Sequence, residues 1–279
     1  MNRVWSLLFL LVPILGTLLI VWAIFGAWPL AGLWLPENVN EYGGVIDHLF
    51  NLILWITGVI FIGTGAILAL TMWPAKGGSR RAAYVHGNHT LEIIWAVIPA
   101  GILVFLSIYQ LNAWAENKMD RPVEVVDGEE RLVPPSVRVV ARQFDWDFFY
   151  PGPDGKFDTV DDFMVTGEVH VPKNQPVVFQ IESSDVLHSF FVPSLRVKQD
   201  IVPGMKQFVW FEANKAGRYE IACTELCGWG HYKMGAVLEV QEEEDYAVWL
   251  QETTAKCLAI SQSFEAVSYT HLTLPTIRL

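Results

Sequence analysis

The stretch Arg218–Gln241, RYEIACTELCGWGHYKMGAVLEVQ, carries the pattern on which the fold of this chain turns. Its flanks, Arg218–Cys223 and Gly235–Gln241, alternate apolar and polar residues, the period-two signature of a strand with one face buried. Between the flanks, Cys223, Cys227, His231 and Met234 follow one another at spacings of four, four and three residues. Two thiols, an imidazole and a thioether are soft donors, which select copper, zinc or an iron–sulfur cluster over magnesium or calcium. The expectation is a sheet that carries a metal-binding loop at one end.

The same alternation recurs upstream. Ser136–Arg142, Val165–Val171, Pro176–Glu182 and Lys206–Glu212 read as strands separated by Pro, Gly and Asn turns. About seven short strands in about 125 residues predict an antiparallel sandwich. It spans residues 136–241, after a polar linker over 117–135 and before a helix over 242–262 with Tyr246, Trp249 and Leu250 on one face. Residues 263–279 form a tail. Its last stretch, Val267–Leu279 (VSYTHLTLPTIRL), has no acidic residue and fits neither pattern, so it reads as foreign sequence and is set aside.

The N-terminal half has a different character. In the 279-residue chain hydrophobic residues make up 52% and charged residues 18%, against a usual charged share of about 25%. This composition excludes a disordered chain and places part of it in lipid. Three uncharged runs carry the excess: Val4–Leu35, Leu49–Trp73 and Ile93–Ala115. Each exceeds the roughly 20 residues that cross a bilayer as a helix. The expected helices run over 4–35, 46–73 and 91–115, within an anchor of residues 1–116. The first reads as a retained helix, because its apolar length is about twice that of a signal-peptide core and no A-x-A site follows. Cleavage would leave two helices in the same orientation.

Arg3 precedes the first run, and Lys76, Arg80 and Arg81 lie between the second and third, whereas the loop between the first and second carries only Glu37 and Glu41. By the positive-inside rule the N-terminus and the 74–90 loop face the cytoplasm, and everything after Ala115 lies outside. Of 19 basic and 30 acidic side chains, residues 1–116 hold four and five, so the remainder carries a net charge of −10. That excess argues against a nucleic-acid partner, which needs Lys and Arg against phosphate. It suits a basic protein partner steered by complementary charge.

His188, thirty-five residues before Cys223 in the stretch Ser183–Phe191 (SSDVLHSFF), sits at an expected strand end, where a returning loop can bring its imidazole to the thiols. A disulfide between Cys223 and Cys227 would leave His188, His231 and Met234 without a role, and structural zinc rarely takes Met. A mononuclear blue-copper site needs one thiolate only. Two bridging thiolates, two histidines, a methionine and a backbone carbonyl suffice for two copper ions. Sharing one odd electron over both would spread the change in bond lengths and favour electron transfer over substrate chemistry. The residues alone favour the copper pair and leave disulfide and zinc open.

The motif C-x-E-x-C-G-x-x-H-x-x-M over Cys223–Met234, preceded by D-V-x-H-S-F at Asp185–Phe190 and P-x-L-x-x-K-x-D-x-x-P-G at Pro193–Gly204, resembles subunit II of the cytochrome c oxidases, over roughly residues 45–241. The resemblance implies a membrane-anchored, cupredoxin-like Greek-key β-sandwich in a bacterial plasma membrane, with the copper domain on the periplasmic side. It implies a dinuclear copper A centre held by His188, Cys223, Cys227, His231, Met234 and the backbone carbonyl of Glu225, whose side chain would meet magnesium at the border with subunit I. Family members relay electrons from a cytochrome c through copper A to haem in subunit I, where oxygen is reduced to water with proton translocation; subunit III is a further partner. A copper A subunit of a nitric oxide reductase and a membrane-tethered copper carrier are the alternatives. A quinol oxidase subunit would lack the copper ligands present here.

Three further features take a reading. Glu92 opens the third run, where a carboxylate near the interface can snorkel at small cost; the resemblance matches it to the mouth of a proton path into subunit I. In the aromatic stretch Gln143–Tyr150 (QFDWDFFY), Phe144 stands where the family usually has the Trp that receives the electron, which leaves Trp146 as the candidate. Pro153–Asp162 spaces its Asp residues like a calcium loop but lacks the full twelve-residue ligand set, and reads as a hairpin turn.

Overall fold

The computed structural model describes residues 2–26, 29–30, 32, 34–73, 84–159 and 161–271. They fall into two units, Met1–Pro36 with Gly44–Met119, and Glu37–Gly43 with Asp120–Leu279.

The first unit is helical: α1 (Asn2–Ile24), α2 (Gly43–Met72), α3 (His89–Tyr109) and the short α4 (Leu111–Lys118). Among the described residues three helical segments, Arg3–Ile24, Gly43–Met72 and His89–Lys118, are long and apolar enough to cross a membrane, with mean hydropathy 2.8, 2.3 and 2.3. Their apolar side chains point outward, since at most 11% of each span is buried. That is the reverse of a water-soluble helix, and lipid is the solvent it suits. α1 and α2 touch where Ser6 Oγ donates to the Ala69 carbonyl at 2.6 Å. Nearby, a Cβ on Gly65 would lie 2.4 Å from the Pro13 ring and 2.7 Å from the Phe9 carbonyl, so only glycine permits this approach. α1 is shorter than the expected 4–35. Its ladder stops at Ile24, and Gly26 follows at φ 61°, a left-handed turn that ends a helix. α3 is capped by Asn88, whose side chain accepts from the Leu91 amide at 3.1 Å. The basic residues Lys76, Arg80 and Arg81 lie outside the described residues.

The second unit holds twelve strands: β1 (Val123–Val126), β2 (Glu129–Leu132), β3 (Val137–Arg142), β4 (Asp145–Tyr150), β5 (Phe163–Thr166), β6 (Glu168–Pro172), β7 (Pro176–Ser183), β8 (His188–Val192), β9 (Val197–Ile201), β10 (Gln207–Glu212), β11 (Gly217–Cys223) and β12 (Gly235–Gln241), followed by α5 (Glu243–His271). β1 and β2 form a hairpin, and the rest build two five-stranded sheets, β10-β7-β3-β4-β5 and β6-β12-β11-β8-β9. Phe190 from one sheet inserts between Trp146 and Phe179 of the other, edge-on at 5.6 and 5.9 Å, and Phe179 meets Phe211 edge-on at 5.2 Å. Such pairs add about 0.5–1.5 kcal/mol each to the burial of the rings.

The sandwich departs from the expectation in four ways. It is mixed, because β3 pairs β7 and β6 pairs β12 in parallel. The strand expected over Val165–Val171 is two strands: Gly167, at φ 79°, breaks it and sends its halves into different sheets. The 117–135 linker contains the β1–β2 hairpin, and β4, β8 and β9 join the strands expected. α5 runs to His271, past the 262 boundary and into the stretch set aside as foreign. Its Trp249 and Leu250 pack on the sandwich core as the one-face reading requires, with Tyr246 stacked on Trp249 at 6.0 Å. Glu37–Gly43, between α1 and α2 in sequence, also belongs to this unit: Asn40 bridges Ala213 and donates to the Leu195 carbonyl at 2.9 Å.

Candidate metal centre

The register of the second sheet sets the centre. β11 ends at Cys223, which pairs with Phe190 of β8, so His188 at the start of β8 comes beside the thiol. The chain then leaves the sheet, makes a single 3₁₀ turn over His231–Lys233 and returns as β12. The loop is closed at its neck by the Cys223 amide donating to the Met234 carbonyl at 3.1 Å, and inside by His231 N donating to Gly228 O at 3.1 Å.

This closure brings all the expected ligands together. Cys223 Sγ lies 3.9 Å from Cys227 Sγ, 3.9 Å from His188 Nδ1 and 3.3 Å from the Glu225 carbonyl oxygen. Cys227 Sγ lies 3.7 Å from His231 Nδ1 and 3.7 Å from Met234 Sδ. Each sulfur therefore has its own imidazole nitrogen, with a carbonyl on one side of the pair and a thioether on the other. His188, Cys223, Cys227 and Met234 are buried. Burial, with the Cys223 thiol alongside, pushes the Cys227 thiol up to about 11; a bound cation reverses that logic and favours thiolate.

Asp185 fixes the outer face of His188. Nε2–H donates to Asp185 Oδ1 at 2.8 Å, which leaves Nδ1 turned to the sulfurs. The same carboxylate accepts from the amides of Gln143 at 2.7 Å and Val186 at 2.6 Å. Burial raises its pKa, but these hydrogen bonds outweigh it and hold Asp185 below the usual carboxylate value. Gln143 also donates from Nε2 to the Cys227 carbonyl, tying the aromatic stretch to the loop.

The donor set fits a copper pair. The two cysteines are free and not joined to each other. Six converging donors, one a thioether, exceed the four N, S or carboxylate ligands of a structural zinc. Glu225 takes part through its carbonyl, and its side chain is half-buried.

The other expected residues scatter. Trp146 is fully buried, with its ring 6.3 Å from His188, and so offers no surface to a docking protein. Phe144 lies beside the loop, against Trp229. Glu92 belongs to the helical unit, in the first turn of α3, with His89 Nδ1 3.4 Å from its carboxylate. In Pro153–Asp162 the carboxylates serve the turn: Asp154 accepts from Lys156 N, Asp162 from Asp158 N, and Asp158 pairs with Arg138 at 2.6 Å. Val160 lies outside the described residues.

Sequence reasoning passed over Trp229 and Gln143. The signal for the first was present: a Trp flanked by two glycines inside a ligand loop. It also missed a second group, Glu168, His170 and Glu239, whose donor atoms converge on the same sheet.

Comparison with known proteins places the sequence in a family. Residues 137–241 match the family model described as the periplasmic domain of cytochrome c oxidase subunit II, and residues 33–113 match its transmembrane domain. An alternative cytochrome c oxidase subunit 2 from Bradyrhizobium diazoefficiens is 31% identical over 244 residues, covering 78% of this chain and 83% of the relative. The cytochrome c oxidase subunit 2 of Thermostichus vulcanus is 30% identical over 267 residues, covering 79% of each. The crystal structure of the periplasmic domain of subunit II from Bradyrhizobium japonicum is 32% identical, covering 45% of this chain and 98% of that one with a TM-score of 0.39. The chain belongs to the cytochrome c oxidase subunit II family, as a bacterial membrane subunit of an oxidase complex that serves electron uptake and carries its metal-binding β-domain on the periplasmic side.

Proposed function

We propose that this chain accepts electrons one at a time from a basic cytochrome c at a dinuclear copper A centre and passes them to haem in subunit I of an oxygen-reducing, proton-translocating oxidase. The observation that carries the reading is the thiol pair 3.9 Å apart with an imidazole Nδ1 facing each sulfur. Copper held there supplies a one-electron acceptor and donor whose charge both sulfurs share. The protein's part is to keep that donor set still. The neck bond from Cys223 to Met234 fixes the loop ends, and Asp185 fixes the His188 ring. Burial keeps bulk water from the thiols and so lowers the reorganisation that accompanies a change of charge.

The full chain, loaded with copper in detergent, is expected to hold two copper ions and show a mixed-valence signal delocalised over both. Cys227→Ser should end the delocalised state, since one thiolate cannot form a two-sulfur bridge. One copper per chain with a blue-copper spectrum would overturn the reading, and rapid loss of copper to a chelator would point to the carrier. Turnover with oxygen but not with nitric oxide separates the oxidase from the reductase.

Two further roles rest on family resemblance. The Glu225 side chain is proposed to meet magnesium at the border with subunit I; Glu225→Gln should then lower manganese incorporation at equal copper content. Glu92 is proposed as the mouth of a proton path. Glu92→Ala should slow oxygen turnover and leave reduction of the copper centre unchanged, and equal turnover in variant and parent would make it an interfacial carboxylate only.

A further inference from the structure

The copper loop presents its largest side chains to solvent: Leu226, Trp229 and Tyr232 are 76%, 77% and 81% exposed. Trp229 stands out among them for three reasons. Its place in the chain is two residues from Cys227 and two from His231, so short covalent paths run from the indole to one thiol and one imidazole. Its ring meets Phe144 edge-on at 5.4 Å, and Lys233 Nζ caps it at 5.0 Å from the centroid. Finally, the backbone beneath it is held against Phe144. A Cβ on Gly230 would fall 2.5–2.9 Å from Phe144 ring atoms, and one on Gly228, at φ 135°, about 3.1 Å from the same ring and 2.8 Å from Gln143 Nε2. The two glycines let the loop lie flat on Phe144 and lift Trp229 clear of the surface. Trp146, by contrast, is sealed in the core.

We infer that Trp229 is the surface residue at which electrons enter this chain, in contact with the cofactor edge of a basic one-electron carrier protein. The inference rests on the copper reading above. The partner's chemistry follows from the patch and its setting. Leu226, Trp229 and Tyr232 offer an apolar contact for an exposed cofactor edge, and the outer part of the chain carries the net charge of −10 that steers a basic protein toward it. One electron would leave the reduced carrier and one would reach the copper that Cys223 and Cys227 would hold. The indole bridges the gap and ends unchanged, with no proton gained or lost. Aromatic anchors in such contacts also hold a large share of the docking energy.

The test uses the assembled oxidase with a reduced, basic mitochondrial-type cytochrome c in stopped flow. At saturating carrier, Trp229→Leu should slow reduction of the copper centre by about tenfold or more, a barrier increase of about 1.4 kcal/mol. Trp229→Phe should fall between variant and parent, and Val125→Ala, on the exposed β1–β2 hairpin, should stay within about twofold of the parent. Reduction by hexaammineruthenium(II), which needs no protein contact, should be equal in all four, as should the near-infrared band of the centre. Binding of zinc-substituted cytochrome c to the copper-free complex gives a readout apart from turnover, and Trp229→Leu should weaken it about threefold to tenfold. Weaker binding with an unchanged rate at saturation would make Trp229 a docking contact only and overturn the inference. So would an unchanged rate with unchanged binding. A parent oxidase without the delocalised copper signal would instead overturn the copper reading on which the inference rests.

Discussion

One sheet of the β-domain brings ligand-type side chains together in two places and treats them in opposite ways. At the β8–β11 end, the partners of Cys223 and Cys227 are sulfur, imidazole nitrogen and a carbonyl oxygen. Along β6, β11 and β12, Glu168, His170 and Glu239 also converge, but Arg218 on β11 places its guanidinium on both carboxylates, 3.1 Å from Glu168. His170 then stacks flat on Trp249 of α5 at 3.9 Å. The second group carries its own cation and has become a structural ion-pair network that anchors the C-terminal helix. The first has a converging, soft and largely buried donor set, which an added metal would suit. A geometric cluster of ligand atoms is therefore not enough to define a metal centre. What separates the two is whether the fold has already supplied the positive charge.

The largest expected effect comes from loosening the first group without touching a ligand. Asp185→Asn keeps the volume but cannot accept from the His188 ring and two amides at once. Removing such an outer partner costs about 10–100-fold in metal affinity, to be read by competition with a copper chelator. Unchanged affinity would mean that the sheet alone positions His188. A smaller effect should follow in the second group. Arg218 is 59% exposed, so Arg218→Met should cost about 1 kcal/mol or less, about 2–4 °C in thermal midpoint for a domain of this size. The sharper readout is zinc. In the copper-loaded variant, zinc should raise the midpoint by binding the freed Glu168, His170 and Glu239, whereas in the parent it should not. An equal response in both would break the comparison.

How much of this could be read beforehand differs between the two groups for a physical reason. The copper loop is local: four side-chain ligands and the Glu225 carbonyl lie within twelve residues, and only His188 needs the tertiary fold. The second group is spread over about seventy residues and exists only through register, with Glu239 opposite His170 on one side and Arg218 on the other. No spacing rule in the chain encodes that. The strands divide likewise. Those with one buried face were legible from alternation, whereas β1 and β2 are exposed on nearly every side chain and carry no such signal. β4 (DWDFFY) buries four of its six residues and β8 (HSFFV) four of its five, which hides alternation in short apolar runs. Gly167 did mark a break, but a lone glycine inside a strand pattern equally suits a bulge. The membrane spans were clear from length and charge, while their ends depended on local turns such as Gly26.

Asp147 on β4 extends the comparison to a carboxylate whose cation is built in beside the copper end of the fold. Its side chain is 9% exposed, and Arg142 contacts it through Nε at 2.6 Å and Nη2 at 3.3 Å, while Thr166 Oγ1 donates to it at 2.6 Å. Asp145 shares the same guanidinium at 3.2 Å. Burial raises the pKa of Asp147, but the hydrogen bonds from Arg142 and Thr166 with the Arg142 charge outweigh it, and the folded-state value lies below the ordinary one. A carboxylate depressed on folding stabilises the native state at every pH above its unfolded value of about 3.9. That contribution is lost as pH falls from there through the lower folded value. The unfolded chain binds the proton first, so stability declines with acid over this window. Asp147→Asn removes the coupling. Urea unfolding of the copper-free chain between about pH 5 and pH 2 should therefore show a shallower acid decline in the variant, by up to about one proton per molecule. Near neutral pH the lines should run parallel, with the variant lower by about 1 kcal/mol or more, because the Arg142 guanidinium loses a charged partner. If the acid slopes coincide, Asp147 takes up its proton at the same pH folded and unfolded, and a built-in arginine is not what keeps a buried carboxylate charged in this domain.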